Sequence, residues 1–244
     1  MTTKKKLVVF DFDCTIINVD SERTQFPLLP EEVYTTMLEK FNASPYNWID
    51  FMNSIYAQFK KFHIPFEDIK NVLDSIELTP GMETLLNFLR DHKEEYEPVI
   101  ISNASSFNLD YILTKKGYKD IFKKIMCNKS KLDNDGMVYI FKNPAHNCDK
   151  CNPCRCKAKN LNDFLGANNR RNYEKIYFIC DGSNDFCLAK QLESSDCVFP
   201  RKDYAFCSIL LDPEQKEKLK CEVRPFEDAS SIVDEMIHRI IYSN

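Results

Sequence analysis

The stretch LVVFDFDCT, residues 7–15, joins a run of four apolar residues to two aspartates. A short apolar run of this kind is typical of a strand that is buried on both faces in a parallel sheet. Asp11 and Asp13 follow at its end, and the two-residue period of a strand predicts that both carboxylates lie on one side while Phe12 points away. We therefore expect a parallel sheet with an acidic pair at the end of its first strand.

Two further apolar runs have the same form. PVII at residues 98–101 leads into SNAS, and IYFIC at residues 176–180 leads into DGSND. Helical patterns alternate with the strands, among them Leu85 to Leu89 and Ile232 to Ile241. This alternation predicts an α/β fold, in which the carboxyl ends of parallel strands meet at one edge and form a shared site.

A stretch of about 57 residues interrupts this alternation after the first strand. Apolar residues recur there at helical spacing without an intervening strand, from Val33 to Phe41, from Trp48 to Phe59 and from Ile69 to Ile76. We interpret residues 22–78 as an inserted helical cap. Residues 1–21 and 79–244 then form the core domain.

Composition and charge restrict the partners and the location. The 244 residues include 33 basic and 37 acidic side chains, a net charge of −4, which gives no electrostatic reason to expect a nucleic acid or an anionic membrane as partner. The eleven cysteines are an odd number spread over the chain, and the start of the sequence does not have the form of a signal peptide. We therefore expect reduced thiols and a cytoplasmic location.

Polar residues at the strand ends supply the candidate chemistry. None of the five glycines has the spacing of a phosphate-binding loop, so side chains and a metal ion would have to neutralise any bound phosphate. Ser102 ends the second strand, Lys157 follows a cysteine-rich loop, and Asp181 and Asp185 end the third strand. An isolated acidic pair is also typical of a solvated strand end, but four converging carboxylates would repel one another. A divalent cation would relieve this repulsion, and hard oxygen ligands favour Mg²⁺.

Taken in order, these motifs resemble the four motifs of the haloacid dehalogenase superfamily: DFDCT at 11–15, ISN at 101–103, Lys157, and DGSND at 181–185. Longer motifs resemble the branch of phosphoethanolamine/phosphocholine phosphatase and pyridoxal phosphate phosphatase: LTPGM at 78–82, HNCDKCNPCRCK at 146–157, DGSNDFC at 181–187 and PRKDY at 200–204. The resemblance implies a Rossmann-like parallel sheet core with a small helical cap after the first strand. It also implies a Mg²⁺-dependent phosphatase that hydrolyses a small-metabolite phosphomonoester.

The resemblance assigns the central roles to the acidic pair. Asp11 would be the nucleophile that forms an aspartyl-phosphate. Asp13 would protonate the leaving oxygen and then activate the water that hydrolyses the intermediate. Mg²⁺ would be held by carboxylate oxygens of Asp11 and Asp181 and by the backbone carbonyl of Asp13.

The same resemblance assigns the phosphoryl and substrate contacts. Lys157 and the Ser102 hydroxyl would take the phosphoryl charge, while Asp185 fixes either Lys157 or a metal-bound water. Asn103 stands where this branch has an aspartate, and Glu22 matches an acidic position just before the cap. Glu22 is therefore the candidate partner of a substrate ammonium. The choice between phosphoethanolamine, phosphocholine and pyridoxal 5′-phosphate stays open, and so does the oligomeric state.

The cysteine-rich loop allows two interpretations. Cys148, Cys151, Cys154 and Cys156 lie within nine residues and could hold zinc. Alternatively, the loop is reduced, packed, and serves to position Lys157. The corresponding alternative for the whole chain is a non-catalytic or zinc-binding interaction protein on the same fold.

Overall fold

A sheet of six strands forms the centre of the computed structural model, which describes residues 4–43, 47–133, 136–148, 151, 153–168 and 170–241. The strands in chain order are β1 (Lys5–Phe10), β2 (Tyr96–Ser105), β3 (Lys124–Asn128), β4 (Ser130–Leu132), β5 (Val138–Ile140), β6 (Tyr173–Cys180), β7 (Cys197–Pro200) and β8 (Glu222–Val223). The central sheet has the order β3-β2-β1-β6-β7-β8, and every neighbouring pair in it is parallel. β4 and β5 form a separate antiparallel pair.

β1 lies in the middle of the sheet because its apolar residues can be buried on both faces. Val9 pairs with Val99 of β2 on one side and with Phe178 of β6 on the other. Leu7 and Val9 pack into one hydrophobic cluster, whereas Val8 and Phe10 pack into another. All four are fully buried. The predicted α/β fold with a parallel sheet is confirmed.

Helices cover both faces of this sheet. They are α4 (Met82–Asp91), α5 (Ser106–Lys115), α6 (Lys157–Asn168), α7 (Phe186–Ala189), α8 (Ala205–Ile209), α9 (Pro213–Lys216) and α10 (Ser230–Ile241). Apolar residues of α4, α5 and α10 pack with Val8 and Phe10, and those of α6, α7 and α8 pack with Leu7 and Val9. No helix in the described ranges is long and apolar enough to cross a membrane.

The chain between β1 and α4 is helical. It contains a 3-10 helix (Arg23–Leu28) followed by α1 (Glu31–Ala43), α2 (Trp48–Lys61) and α3 (Phe66–Asp74). Its described part, 22–43 and 47–78, contains no strand. α3 ends at Asp74, two residues before Ile76, the last residue of the apolar pattern that predicted this helix. The division into a cap, 22–78, and a core, 1–21 with 79–244, stays a prediction.

The chain enters and leaves this helical segment along two adjacent paths. The Asn18 amide donates to the Glu77 carbonyl at 2.9 Å, and the Thr79 amide donates to the Ile16 carbonyl at 3.0 Å. The next turn requires Gly81, whose φ is +72° and whose hydrogen faces Asp228; a Cβ there would lie 1.8 Å from Asp228 Oδ1. The two connections to the helical segment are therefore both held in place next to the end of β1.

Candidate active site

The acidic pair lies in a turn that follows β1. β1 ends at Phe10, and the amides of Ile16 and Ile17 donate to the Phe12 carbonyl at 2.8 and 3.2 Å. Asp11 and Asp13 line one cavity and Phe12 is fully buried, as the sequence predicted, although both aspartates lie after the last residue of β1.

Arg201 fixes this turn from a distant part of the chain. Cys14 has φ of 55°, a left-handed conformation that few residues other than glycine adopt. Arg201 donates to the Cys14 carbonyl at 2.7 Å and to Asn18 Oδ1 at 2.5 Å. Arg201 belongs to the PRKDY motif, but the sequence alone assigned it no role.

A cavity of about 550 Å³ opens at the carboxyl ends of β1, β2 and β6. Six polar residues at which the sequence predicted catalysis, metal binding or substrate binding line it: Asp11, Asp13, Glu22, Ser102, Asn103 and Asp181. Residues with no predicted role there are Cys14, Asp20, Arg23, Phe41, Trp48, Cys151, Ser183 and Asn184. The strand ends thus converge on one polar cavity.

Lys157 joins two of the predicted acids. It begins α6, is 1% exposed, and places Nζ 2.5 Å from Asp11 Oδ2 and 2.6 Å from Asp185 Oδ1. Burial by itself lowers the pKa of Lys157, but the charges of Asp11 and Asp185 outweigh burial and raise it. Lys157 is therefore a permanent cation at neutral pH.

Asp11, Asp181 and Asp185 bring three carboxylates together around this one lysine. One oxygen of each lies within 4.8 Å of the others. Burial, with the charges of Asp11 and Asp185, raises the pKa of Asp181 to about 8, and burial raises that of Asp185 to about 6. Three clustered acids with a single cation form a hard oxygen site that suits a second, divalent cation.

This set of carboxylates differs from the predicted metal ligands. Asp185 joins Asp11 and Asp181, while the Asp185 Oδ2 accepts from the Gly182 amide at 2.9 Å. Coordination through the Asp13 carbonyl stays a prediction. Thr15 also contributes, since its hydroxyl donates to Asp181 Oδ1 at 3.1 Å, a contact that the sequence did not indicate.

Asp13 has different surroundings from Asp11. Its Oδ1 accepts from the Ser21 amide at 3.0 Å, and no lysine or arginine contact to its carboxylate is among those found in the described part of the chain. Burial, followed by the charges of Asp20 and Glu22, raises the pKa of Asp13 well above its usual value. A raised pKa favours the protonated form, which a general acid needs.

Glu22 connects the helical segment to the sheet. It is 1% exposed, and its two oxygens accept from Trp48 Nε1 at 2.5 Å and from the Ser105 amide at 3.1 Å. Burial and the charge of Asp20 raise the pKa of Glu22 to about 8. Glu22 is therefore a buried acid at the cavity, where it is already held by two donors.

Ser102 and Asn103 occupy the end region of β2. Ser102 is 1% exposed, and its Oγ accepts from the Ala104 amide at 3.1 Å. The carbonyl of Asn103 accepts from Asn128 Nδ2 at 2.6 Å. In the described ranges, Asn103 Oδ1 is buried and accepts no hydrogen bond. An acceptor of this kind at a cavity wall is available to a bound donor.

The cysteine-rich loop does not bring together the four cysteines that its spacing suggests. The sulfur atoms of Cys148, Cys151 and Cys156 cluster with that of Cys187, two residues after Asp185. Cys154 packs instead into the hydrophobic cluster of the other sheet face. The predicted set was therefore wrong in one member, because the loop turns Cys154 away and Cys187 arrives from α7.

Comparisons with known proteins agree with this geometry. A family model described as "Putative Phosphatase" matches residues 6–240. Phosphoethanolamine/phosphocholine phosphatase of Gallus gallus is 32% identical over 233 residues, with 93% of this chain and 86% of the relative covered. Pyridoxal phosphate phosphatase PHOSPHO2 of Bos taurus is 32% identical over 208 residues, with 84% and 86% covered.

A solved structure shows the same fold. The phospho-aspartyl intermediate analogue of phosphoserine phosphatase superposes with a TM-score of 0.60 at 18% identity and covers 96% of this chain and 99% of its own. The chain belongs to the family described as "Putative Phosphatase". It is an enzyme of the phosphatase class, which sets aside the alternative of a non-catalytic interaction protein.

Proposed function

We propose that this chain hydrolyses a small-metabolite phosphomonoester through an aspartyl-phosphate on Asp11, with Mg²⁺ as cofactor. The observation that carries the proposal is the contrast between two neighbouring acids at one cavity. Asp11 contacts the Lys157 cation, whereas burial raises the pKa of Asp13 well above its usual value. A nucleophile must be ionised and a general acid must carry a proton, and these two environments suit those two roles.

The proposed reaction has two displacements at phosphorus. A carboxylate oxygen of Asp11 attacks, the bond from phosphorus to the leaving oxygen breaks, and Asp13 gives that oxygen its proton. Asp13 then accepts a proton from water, which attacks phosphorus and breaks the bond to Asp11. Inorganic phosphate leaves, and both aspartates return to their initial states.

Two residues would stabilise the charge of the phosphoryl group, and a third would hold one of them in place. Lys157 lies at Asp11, the Ser102 hydroxyl lines the same cavity, and Asp185 holds Lys157 in place at 2.6 Å. Such contacts act most strongly where they are fixed before the reaction and shielded from water. We therefore assign Asp185 as a positioning residue for Lys157.

Carboxylates of Asp11, Asp181 and Asp185 would hold Mg²⁺, since three hard oxygen donors lie within 4.8 Å of one another. The ion would supply positive charge to the transferring phosphoryl group. Burial, followed by the charges of Asp11 and Asp185, raises the pKa of Asp181, and a bound cation would favour its ionised form.

The substrate end of the cavity suits an amine-bearing compound. Glu22 and Asp20 supply acidic groups, Asn103 Oδ1 supplies an acceptor, and Trp48 supplies an aromatic face. A bound ammonium would favour the ionised form of Glu22 and would be attracted to the ring of Trp48. We place phosphoethanolamine, phosphocholine and pyridoxal 5′-phosphate in this class, in line with what the names of the relatives say of those proteins. The eleven free cysteines support a cytoplasmic location as part of the proposal.

Hydrolysis of p-nitrophenyl phosphate tests the reaction and the cofactor. We expect turnover with Mg²⁺, loss of turnover in chelator, and recovery when Mg²⁺ is restored. Calcium should inhibit, because it prefers more ligands and would draw both oxygens of Asp11 into coordination. Acid-quenched protein should carry phosphate on Asp11, detected by mass spectrometry. Equal rates in chelator and in Mg²⁺ would contradict the metal requirement.

A panel of metabolite phosphates tests the substrate class. We expect amine-bearing phosphomonoesters to have a higher kcat/KM than sugar phosphates of similar size. Equal values for both groups would remove the argument from Glu22, Asp20 and Asn103 while leaving the reaction itself intact.

A further inference from the structure

Four cysteines form a compact cluster beside the active site. The sulfur atoms of Cys148, Cys151, Cys156 and Cys187 all lie within 4.8 Å of one another, and those of Cys148 and Cys187 are 3.7 Å apart. Four thiolates at about 2.3 Å from a tetrahedral zinc ion are separated by about 3.8 Å. The cluster therefore has nearly the dimensions of a four-thiolate zinc site.

The arrangement differs from that of a disulfide. A disulfide joins two sulfur atoms at about 2.05 Å and would divide four cysteines into pairs. Here Cys148 and Cys187 remain at 3.7 Å, and Cys151 and Cys156 complete a single group with them. The spacing also fits metal binding, since Cys148 and Cys151 are separated by two residues and Cys187 comes from a distant segment.

We propose that Cys148, Cys151, Cys156 and Cys187 bind one structural Zn²⁺. Four sulfur ligands fill a tetrahedral ion, so the site is closed and takes no part in chemistry. Soft thiolates select zinc over the Mg²⁺ that suits the neighbouring carboxylates.

The surroundings of Cys156 suit a thiolate. Cys156 is 6% exposed and directly precedes α6, and the Lys159 amide of the first turn of this helix donates to its Sγ at 3.5 Å. The positive end of a twelve-residue helix and an N–H donor both favour negative charge on that sulfur.

The site would fasten a long loop to the catalytic core. The described residues between β5 and α6 form no regular element, and long loops of this kind need internal constraints to stay ordered. Cys156 directly precedes Lys157, and Cys187 follows Asp185 by two residues. Bound zinc would therefore hold together the two chain segments that carry the Lys157–Asp185 ion pair.

Metal analysis of the purified protein tests the site without reference to phosphatase activity. Protein prepared with a reductant is passed through a desalting column that contains EDTA, and zinc is measured by inductively coupled plasma mass spectrometry. We expect about one zinc ion per chain in the native protein and a large loss in Cys187→Ser. Cys154→Ala and Cys207→Ser are matched controls, since neither sulfur belongs to the cluster, and both should retain zinc.

Cobalt substitution gives a second measurement that needs no variant. Protein stripped of zinc and titrated with Co²⁺ should show thiolate-to-cobalt charge-transfer absorption that saturates at one equivalent and disappears when Zn²⁺ is added. This result decides the question even if Cys187→Ser does not fold. The proposal fails if native protein neither contains nor takes up zinc, if it contains iron instead, or if mass spectrometry finds a disulfide between Cys148 and Cys187. It also fails if Cys154→Ala loses zinc while Cys187→Ser keeps it.

Discussion

Two groups of acids at the active site differ in whether a buried lysine contacts them. The first group, Asp11, Asp181 and Asp185, surrounds the buried Lys157. The second group, Asp13, Asp20 and Glu22, is contacted instead by backbone amides, by the side chains of Ser21 and Trp48, and by Arg23. Burial is the largest influence that raises the pKa of every member of the second group.

The difference shows how a protein uses buried carboxylates for opposite purposes. A nearby cation favours the charged form of a buried acid, whereas burial without a cation favours the protonated form. The first group can therefore attack phosphorus and bind metal. The second group can donate protons or bind a cationic group of the substrate.

Replacing the nucleophile should produce the largest effect. Asp11→Asn keeps the shape of the side chain but removes the attacking oxygen charge, so turnover of p-nitrophenyl phosphate should fall below detection. The matched control is Asp163→Asn, since Asp163 is exposed and pairs with Lys159 on the surface of α6. Circular dichroism should show folded protein in both cases. Full activity of Asp11→Asn would contradict the mechanism.

Replacing the acid of the second group should produce the next largest effect. Asp13→Asn keeps an acceptor for the Ser21 amide but cannot transfer a proton, so kcat should fall by roughly two to four orders of magnitude. The loss should be greater for a poor leaving group, such as an alkyl alcohol, than for p-nitrophenol. If both leaving groups lose rate equally, Asp13 does not protonate the leaving oxygen.

Glu22→Gln tests whether the second group recognises a substrate cation. One charge-assisted contact is worth about 1.5–3 kcal/mol, so kcat/KM for phosphoethanolamine should fall by about 10- to 100-fold. Hydrolysis of p-nitrophenyl phosphate should change little, because its leaving group carries no positive charge. Glu39→Gln is the control in the same helical segment, since Glu39 is exposed. Equal losses on both substrates would assign Glu22 to structure alone.

The pH dependence of stability tests the protonation of Glu22 without a substrate. The pKa of Glu22 is about 8 in the folded chain and 4.5 for an ordinary glutamate, so the folded state binds more protons between these values. The free energy of unfolding should therefore fall as pH rises from 4.5 to 8, with a contribution from Glu22 of up to about 1.4 kcal/mol per pH unit.

Glu22→Gln should remove this contribution, so the difference in stability between the variant and the native protein should change with pH only in this window. Urea unfolding at several pH values measures it. A constant difference from pH 4.5 to 8 would show that Glu22 is ionised throughout.

Local patterns in the sequence determined the fold class of this protein. Runs such as LVVF are apolar without alternation, and only a strand buried on both faces satisfies them. Because parallel strands end at one edge, Asp11, Ser102 and Asp181 had to approach one another once the sheet formed. The helical segment could also be predicted, since apolar residues at helical spacing indicate a helix whatever packs against it.

The tertiary structure alone decided which groups touch and which protons they hold. Cys187 replaced Cys154 in the sulfur cluster, and Asp20 joined the cavity, because loop paths place these residues and loops leave no periodic signal in a sequence. Asp11 and Asp13 differ in their surroundings: a lysine lies 2.5 Å from Asp11, and burial raises the pKa of Asp13. Two identical residue types two positions apart cannot reveal this difference. The sequence thus determined where the chemistry lies, because strand ends are local features. The fold decided which residue takes which role, because the charge of a group in a protein interior depends on every group packed around it.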